Sequence, residues 1–155
     1  MKKTSLLFPL SLAMLVLSGC STQTLHPMQE PVHVGEVCIT PDSSNRKIAY
    51  NSTIQALKAK GFTVREVGVG GGADCDAVLS CNTVSRWDVA NFTSEIHYQW
   101  FEKGVLKARA DYQCKSGLNF TKYIDTQEKV NDMLNKMLPS TPQLPSRYSG
   151  QATNW

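Results

Sequence analysis

The sequence predicts an α+β domain in the order β-α-β-β-β-β-α, with a mostly antiparallel sheet and two helices packed on one of its faces. Three observations lead there. Residues 92 to 114 hold two segments that alternate apolar and polar side chains around a glycine-containing loop. Two other segments space their apolar residues as helices do. An apolar face opposite a wet one is the pattern of an antiparallel sheet covered on one side.

Taken in order, Val34, Val37 and Ile39 suggest a short first strand, stopped by Pro41-Asp42. Ser43 or Ser44 can cap a helix over 45–60, with Tyr50, Ile54 and Leu57 on one side and Gly61 just past its end. Phe62 to Val67 alternates as a second strand, so strand, helix and strand together suggest a right-handed crossover. The third strand, Asp76 to Arg86, puts Ala77, Leu79, Cys81 and Thr83 on the apolar side and turns through Trp87-Asp88-Val89-Ala90.

In the fourth strand Phe92, Ile96, Tyr98 and Trp100 share one face, and Asn91, Thr93, Glu95, His97 and Gln99 the other. Leu106, Ala108, Ala110, Tyr112 and Cys114 repeat the apolar pattern in the fifth, against Lys107, Arg109, Asp111 and Gln113. Opposed residues must share a face, which calls for an odd loop, and Glu102-Lys103-Gly104 supplies it. That register opposes Trp100 to Leu106, Tyr98 to Ala108, Ile96 to Ala110 and Phe92 to Cys114. Asp125 with Glu128 then opens a last helix, whose stripe of Val130, Met133, Leu134, Met137 and Leu138 reads as core, and Pro139 ends it.

The flanks divide the rest of the chain. Lys2-Lys3, an apolar run from Leu6 to Leu17 and Ser18-Gly19-Cys20 have the arrangement of a secretory signal. The run is too short for the roughly 20 residues a membrane-crossing helix needs. It resembles the lipobox of diacylglyceryl-modified bacterial lipoproteins, which implies a signal peptide over 1–19, acylation of Cys20 and two-signal anchoring through several acyl chains. In those lipoproteins an Asp after the cysteine favours the inner membrane. Ser21 therefore implies the outer membrane, with the domain facing the periplasm. Residues 20–32 read as a lipidated tether, 33–138 as the domain, and 139–155, with three prolines, as a flexible tail.

Charge narrows the function. Removing Lys2 and Lys3 from a chain with 16 basic and 13 acidic residues leaves it nearly neutral. Neither a nucleic-acid footprint nor a polybasic membrane patch is present in the sequence. The four cysteines beyond Cys20 suggest one or two disulfides in an oxidising compartment. No close C-x2-C pair points to zinc. Cys75 and Cys81 are about 20 Å apart on one extended segment and cannot bridge each other. If the first and third strands are antiparallel neighbours, Cys38 and Cys75 meet at one end of the sheet, and that bridge is preferred. The register then keeps Cys81 and Cys114 apart, as buried free thiols or joined only across a bulge.

Gly68-Val69-Gly70-Gly71-Gly72-Ala73 matches a dinucleotide-binding pattern in letters, but it enters a strand-like segment, so a flexible connection is expected and no cofactor. Asp74 and Asp76 read as turn residues beside it, and Trp87-Asp88 as a structural corner. His97 lies on the wet face with no nucleophile in its strand, so no catalytic residue is assigned.

The succession of lipobox, Val37-Cys38-Ile39, Asp74-Cys75-Asp76, Arg86-Trp87-Asp88, a long alternating strand and a final amphipathic helix resembles the Sbal-type family of short, uncharacterised proteobacterial lipoproteins. The resemblance implies a Cys38–Cys75 pair and no activity or ligand. Cys81, Cys114 and the longer tail depart from the pattern. The expectation is a non-enzymatic binding or structural module of the envelope, whose contact face is the wet surface around Glu95, His97, Lys107 and Arg109. Its partner would be a periplasmic protein or another envelope component. The alternative is an immunity lipoprotein that neutralises a secreted toxin in the periplasm.

Overall fold

The structure, a computed structural model, describes residues 21–40, 48–68, 70–88, 90–114 and 125–140. The signal segment with Cys20, the helix cap at Ser43 or Ser44 and the tail beyond residue 140 lie outside them. In chain order the elements are β1 (Ser21–His26), β2 (Glu36–Ile39), α1 (Ile48–Ala59), β3 (Thr63–Glu66), β4 (Ala77–Asp88), β5 (Ala90–Glu102), β6 (Val105–Cys114) and α2 (Thr126–Met137). The strands form one mixed sheet in the order β1-β6-β5-β4-β2-β3. The α+β class stands, with one strand more than the sequence predicts.

That extra strand is β1, in the stretch expected to be a tether. It pairs antiparallel with β6 from Ser21 opposite Cys114 to His26 opposite Arg109. Its residues carry almost no apolar signal. Most of what holds it is the row of backbone donors and acceptors that the edge of β6 would otherwise leave open, helped by Leu25 against the core and by Lys129 donating to Gln23 at 2.8 Å. Beyond it Met28 and Val32 are buried, and the Met28 amide donates to the Met137 carbonyl at 2.8 Å.

The core lies between the helices and one side of the sheet. Trp100, Tyr98, Ile96, Leu79, Leu57 and the whole α2 stripe are fully buried there. The α2 stripe and its cap match the sequence reading, with the Asp125 carboxylate accepting from the Gln127 and Glu128 amides. Gly61 closes α1 at φ 94°, a backbone conformation that costs glycine nothing. A polar staple ties α1 to the sheet: the Thr53 hydroxyl donates to the Ala49 carbonyl at 2.7 Å and sits against the Tyr98 hydroxyl.

Register departs from expectation at the two hairpins. Between β5 and β6 the connection is two residues, Lys103 at φ 48° and Gly104 at φ 77°, as a type I′ turn requires. Glu102 pairs with Val105 and Phe101 with Leu106. Then Lys107 is skipped, so that Trp100 opposes Ala108, Tyr98 opposes Ala110 and Ile96 opposes Tyr112. The bulge restores the parity that an even turn breaks, and it leaves Leu106 exposed instead of in the core. Large residues still face small ones along most of the pair.

Between β4 and β5 the strands run on through the expected turn, with Trp87 opposite Asn91 and Asp88 opposite Ala90. Ser94 is the extra residue here, and its hydroxyl donates to the Val84 carbonyl. This bulge moves Thr93 to the buried side, where alternation had not placed it.

Cys38 and Cys75 are joined, with Cα atoms 6.1 Å apart, but the route differs from the one expected. β2 runs parallel to both β3 and β4, Cys38 lying opposite Arg65 on one side and Val78 on the other. Cys75 precedes β4 and is brought over Cys38 by the glycine loop. That loop is a built turn and not slack chain: the Gly71 amide donates to Gly68 and the Cys75 amide to Gly72. A Cβ on Gly72, at φ 96°, would stand 3.1 Å from the Val78 side chain. Cys81 and Cys114 are buried and lie outside any disulfide.

Candidate functional site

The sheet face turned away from the helices carries the polar halves of β1, β4, β5 and β6. Pairing fixes three rows across it. His26, Arg109, Gln99 and Ser80 form one; Thr24, Asp111, His97 and Asn82 the next; Thr22, Gln113, Glu95 and Val84 the third. Alternation alone puts these residues on one side. The register decides who meets whom.

Asp111 is the centre of the arrangement. Its Oδ2 accepts from Arg109 Nε at 2.6 Å, and its Oδ1 lies 2.8 Å from His97 Nδ1. The other ring nitrogen of His97 approaches Glu95 at 3.5 Å, and Glu95 is held in turn by Arg86 Nη2 at 3.0 Å. Burial raises the Asp111 carboxyl and is the largest single influence. The hydrogen bonds and charges of Arg109 and His97 together outweigh it and leave the carboxyl below its ordinary range. The Arg109 guanidinium is correspondingly raised by its bond to Asp111.

Thr22, Thr24 and His26 of β1, His97 of β5, and Arg109, Asp111 and Gln113 of β6 line a groove of about 430 Å³ on this face. Its chemistry is a set of fixed donors and acceptors. The hydroxyls lining it stand on β1, two strands from His97, or on the order of 10 Å at ordinary strand spacing. That separation keeps His97 out of contact with either hydroxyl.

Of the four residues expected at the contact face, the structure brings Glu95, His97 and Arg109 together through Asp111. Lys107 is exposed but occupies the bulge and does not line the groove. The sequence placed Asp111 on the right face but opposed His97 to the wrong residue, because the expected loop shifted β6 by two positions. Thr22, Thr24 and His26 escaped notice because no periodicity marks β1.

A second polar cluster surrounds the disulfide. Arg65 bonds Glu36 at 2.7 Å and Asp74 at 3.0 Å, and its Nη2 lies 3.1 Å from Cys75 Sγ. Asp74 is lowered first by its own backbone amide and then by Arg65. It is therefore an ion-pair partner and not only a turn residue. Among the described residues no helix is long and apolar enough to cross a membrane, and no group of three candidate metal ligands gathers.

No protein-family model matches the chain, and neither does any curated protein. Among solved structures it is similar to the PelC dodecamer from Paraburkholderia phytofirmans in two crystal forms. One has a TM-score of 0.53 at 13% identity, covering 76% of this chain and 97% of that one. The other has a TM-score of 0.52 at 12% identity, covering 79% and 99%. A looser likeness, TM-score 0.40 at 10% identity, is to a minor lipoprotein from Acinetobacter baumannii, covering 72% of this chain and 92% of that one; it is too slight to bear on this protein. The PelC likeness extends over most of both chains, and what the two share is a fold.

Proposed function

We propose that this chain is a lipid-anchored module of the bacterial envelope, attached through Cys20 to the periplasmic face of the outer membrane, that works by binding and not by catalysis. The observation that carries the reading is the polar groove on β1, β5 and β6. Its central side chains, His97, Asp111 and Arg109, are held in place by one another before any partner arrives, and preorganisation of this kind lowers the ordering cost of association. Its lining offers hydrogen bonds and ion pairs, which suit a polar macromolecular surface better than an apolar small molecule. The lipobox and the resemblance to short lipoproteins supply the compartment. The shared fold with a protein that forms dodecamers makes self-association the first partner to consider.

The test is crosslinking in intact cells, comparing the natural chain with an Arg109→Glu, Glu95→Lys variant. Loss of crosslinked species in the variant, at unchanged abundance, is the expected result. Crosslinking identical in pattern and amount would remove the groove from the interaction. A crosslinked ladder of this chain alone would identify the partner as further copies of itself.

A further inference from the structure

We propose that Trp87, near the end of β4, is a second membrane contact that rests in the lipid headgroup layer beside the acyl anchor. The proposal builds on the lipidation of Cys20 in the reading above. β1 begins at Ser21, so the residue next to the anchored cysteine is already locked into the sheet. Successive Cα atoms are about 3.8 Å apart, so no slack separates the acyl chains from the domain.

The sheet registers then state which end of the domain meets the membrane. Ser21 lies opposite Cys114, and the neighbouring row runs from Thr22 through Gln113 and Glu95 to Val84. From there β4 and β5 continue in the direction of the anchor, pairing Arg86 with Phe92 and Trp87 with Asn91. Counted along β4, Trp87 stands two residues past the level of Ser21, roughly 7 Å at the usual rise, and three strand spacings to the side, roughly 14 Å. The hairpin therefore projects beyond the residue that follows the lipid.

Trp87 is 71% exposed although alternation puts it on the helix side of β4. The other exposed apolar residues of the hairpins, Val105 and Leu106, sit at the opposite end of β5. Indole combines an apolar body with one N–H donor, the combination that favours the membrane–water boundary over either bulk phase. Arg86 beside it is held by Glu95, and an ion pair so close suits Trp87 to headgroup depth and not the hydrocarbon. Acyl chains alone fix a point. A second contact also fixes the tilt, and with it the direction in which the polar groove faces.

The experiment uses the full-length lipidated protein in vesicles of phosphatidylethanolamine and phosphatidylglycerol, with plain or brominated acyl chains. Trp155→Phe leaves two of the three tryptophans, Trp87 and the fully buried Trp100. Brominated lipid should then remove roughly half of the emission, the share of the interfacial tryptophan. Adding Trp87→Phe should abolish that loss, and a further Leu106→Trp should not restore it. Emission unaffected by bromine in a protein whose mass carries the acyl chains would overturn the contact and leave the anchor standing. A mass without acyl chains would overturn both. Quenching restored by Leu106→Trp would overturn the orientation.

Discussion

The antiparallel part of the sheet and its parallel edge are held together by different means. Strands β4, β5 and β6 run 10 to 13 residues and bury most of one face, from Ala77 to Thr83 on β4, Ile96 to Trp100 on β5 and Ala108 to Cys114 on β6. Strands β2 and β3 have four residues each. Their place is secured by the Cys38–Cys75 bridge, the turn through Gly71 and Gly72 and the ion pairs of Arg65. A long alternating strand carries its own stabilisation, because every second residue adds buried apolar area. A short parallel strand cannot, and here a covalent staple with a charged surround takes over.

The sharpest way to break the contrast is to remove packing from the long half. Trp100 is fully buried, its ring centroid 5.5 Å from that of Phe62. Trp100→Ala is expected to cost about 3–5 kcal/mol, in one cooperative transition followed by circular dichroism in urea. A loss under 1 kcal/mol would mean that the core is not centred on β5. Removing the staple should act more locally. Cys38→Ser with Cys75→Ser opens a link between positions 37 residues apart, worth about 2–4 kcal/mol. Amide exchange should quicken in Glu36–Ile39 and Thr63–Glu66 while β5 and β6 keep most of their protection. Equal acceleration everywhere would show that the two parts unfold as one.

The same contrast explains what could be read from the chain before its structure. The faces of β5 and β6 and the α2 stripe were legible because burial on one side imposes a period. Their register was not. A type I′ turn with Lys103 at positive φ looks in sequence like the end of a three-residue loop, and the bulge at Lys107 has no letter that announces it. Leu106 leaves the core for this reason, and Thr93 enters it because the bulge at Ser94 is equally unannounced. The direction of β2 was hidden differently: four residues give no signal for parallel or antiparallel pairing. The cysteine bridge is expected from the sequence only on a premise the structure overturns: excluding Cys75–Cys81 leaves two pairings open, and the preference for Cys38–Cys75 assumes antiparallel strands where β2 and β4 run parallel. β1 leaves no periodic trace, since STQTLH is fixed chiefly by backbone hydrogen bonds to an edge, with only Leu25 packing on the core and Gln23 accepting from Lys129. Three of the seven residues that line the groove are therefore unreadable, and its central Asp111 can be assigned to a face but not to a partner.

A milder probe compares the charged groups of the two parts through acid titration. Asp111 on β6 and Asp74 beside the disulfide both have carboxyls held below the ordinary range. A carboxyl lowered on folding contributes stability that is complete above its unfolded value, near 3.9, and is lost as the pH falls through the lower folded value. Asp111→Asn should therefore lower stability at pH 7 by about 1 kcal/mol, near the low end for a hydrogen-bonded charge whose Arg109 partner is half exposed. The gap between variant and natural chain should narrow below pH 4 as Asp111 itself takes up a proton. Asp74→Asn should follow the same course with a smaller gap, because the side chain is 72% exposed to Asp111's 19% and is screened accordingly. Thermal unfolding of the three proteins between pH 7 and pH 2 measures both curves. A gap for Asp111→Asn that stays constant across that range would mean that the carboxylate's charge contributes nothing and that only its shape is used. The polar face would then be held by packing, as the core is, and the distinction between a pre-charged groove and a plain wet surface would disappear.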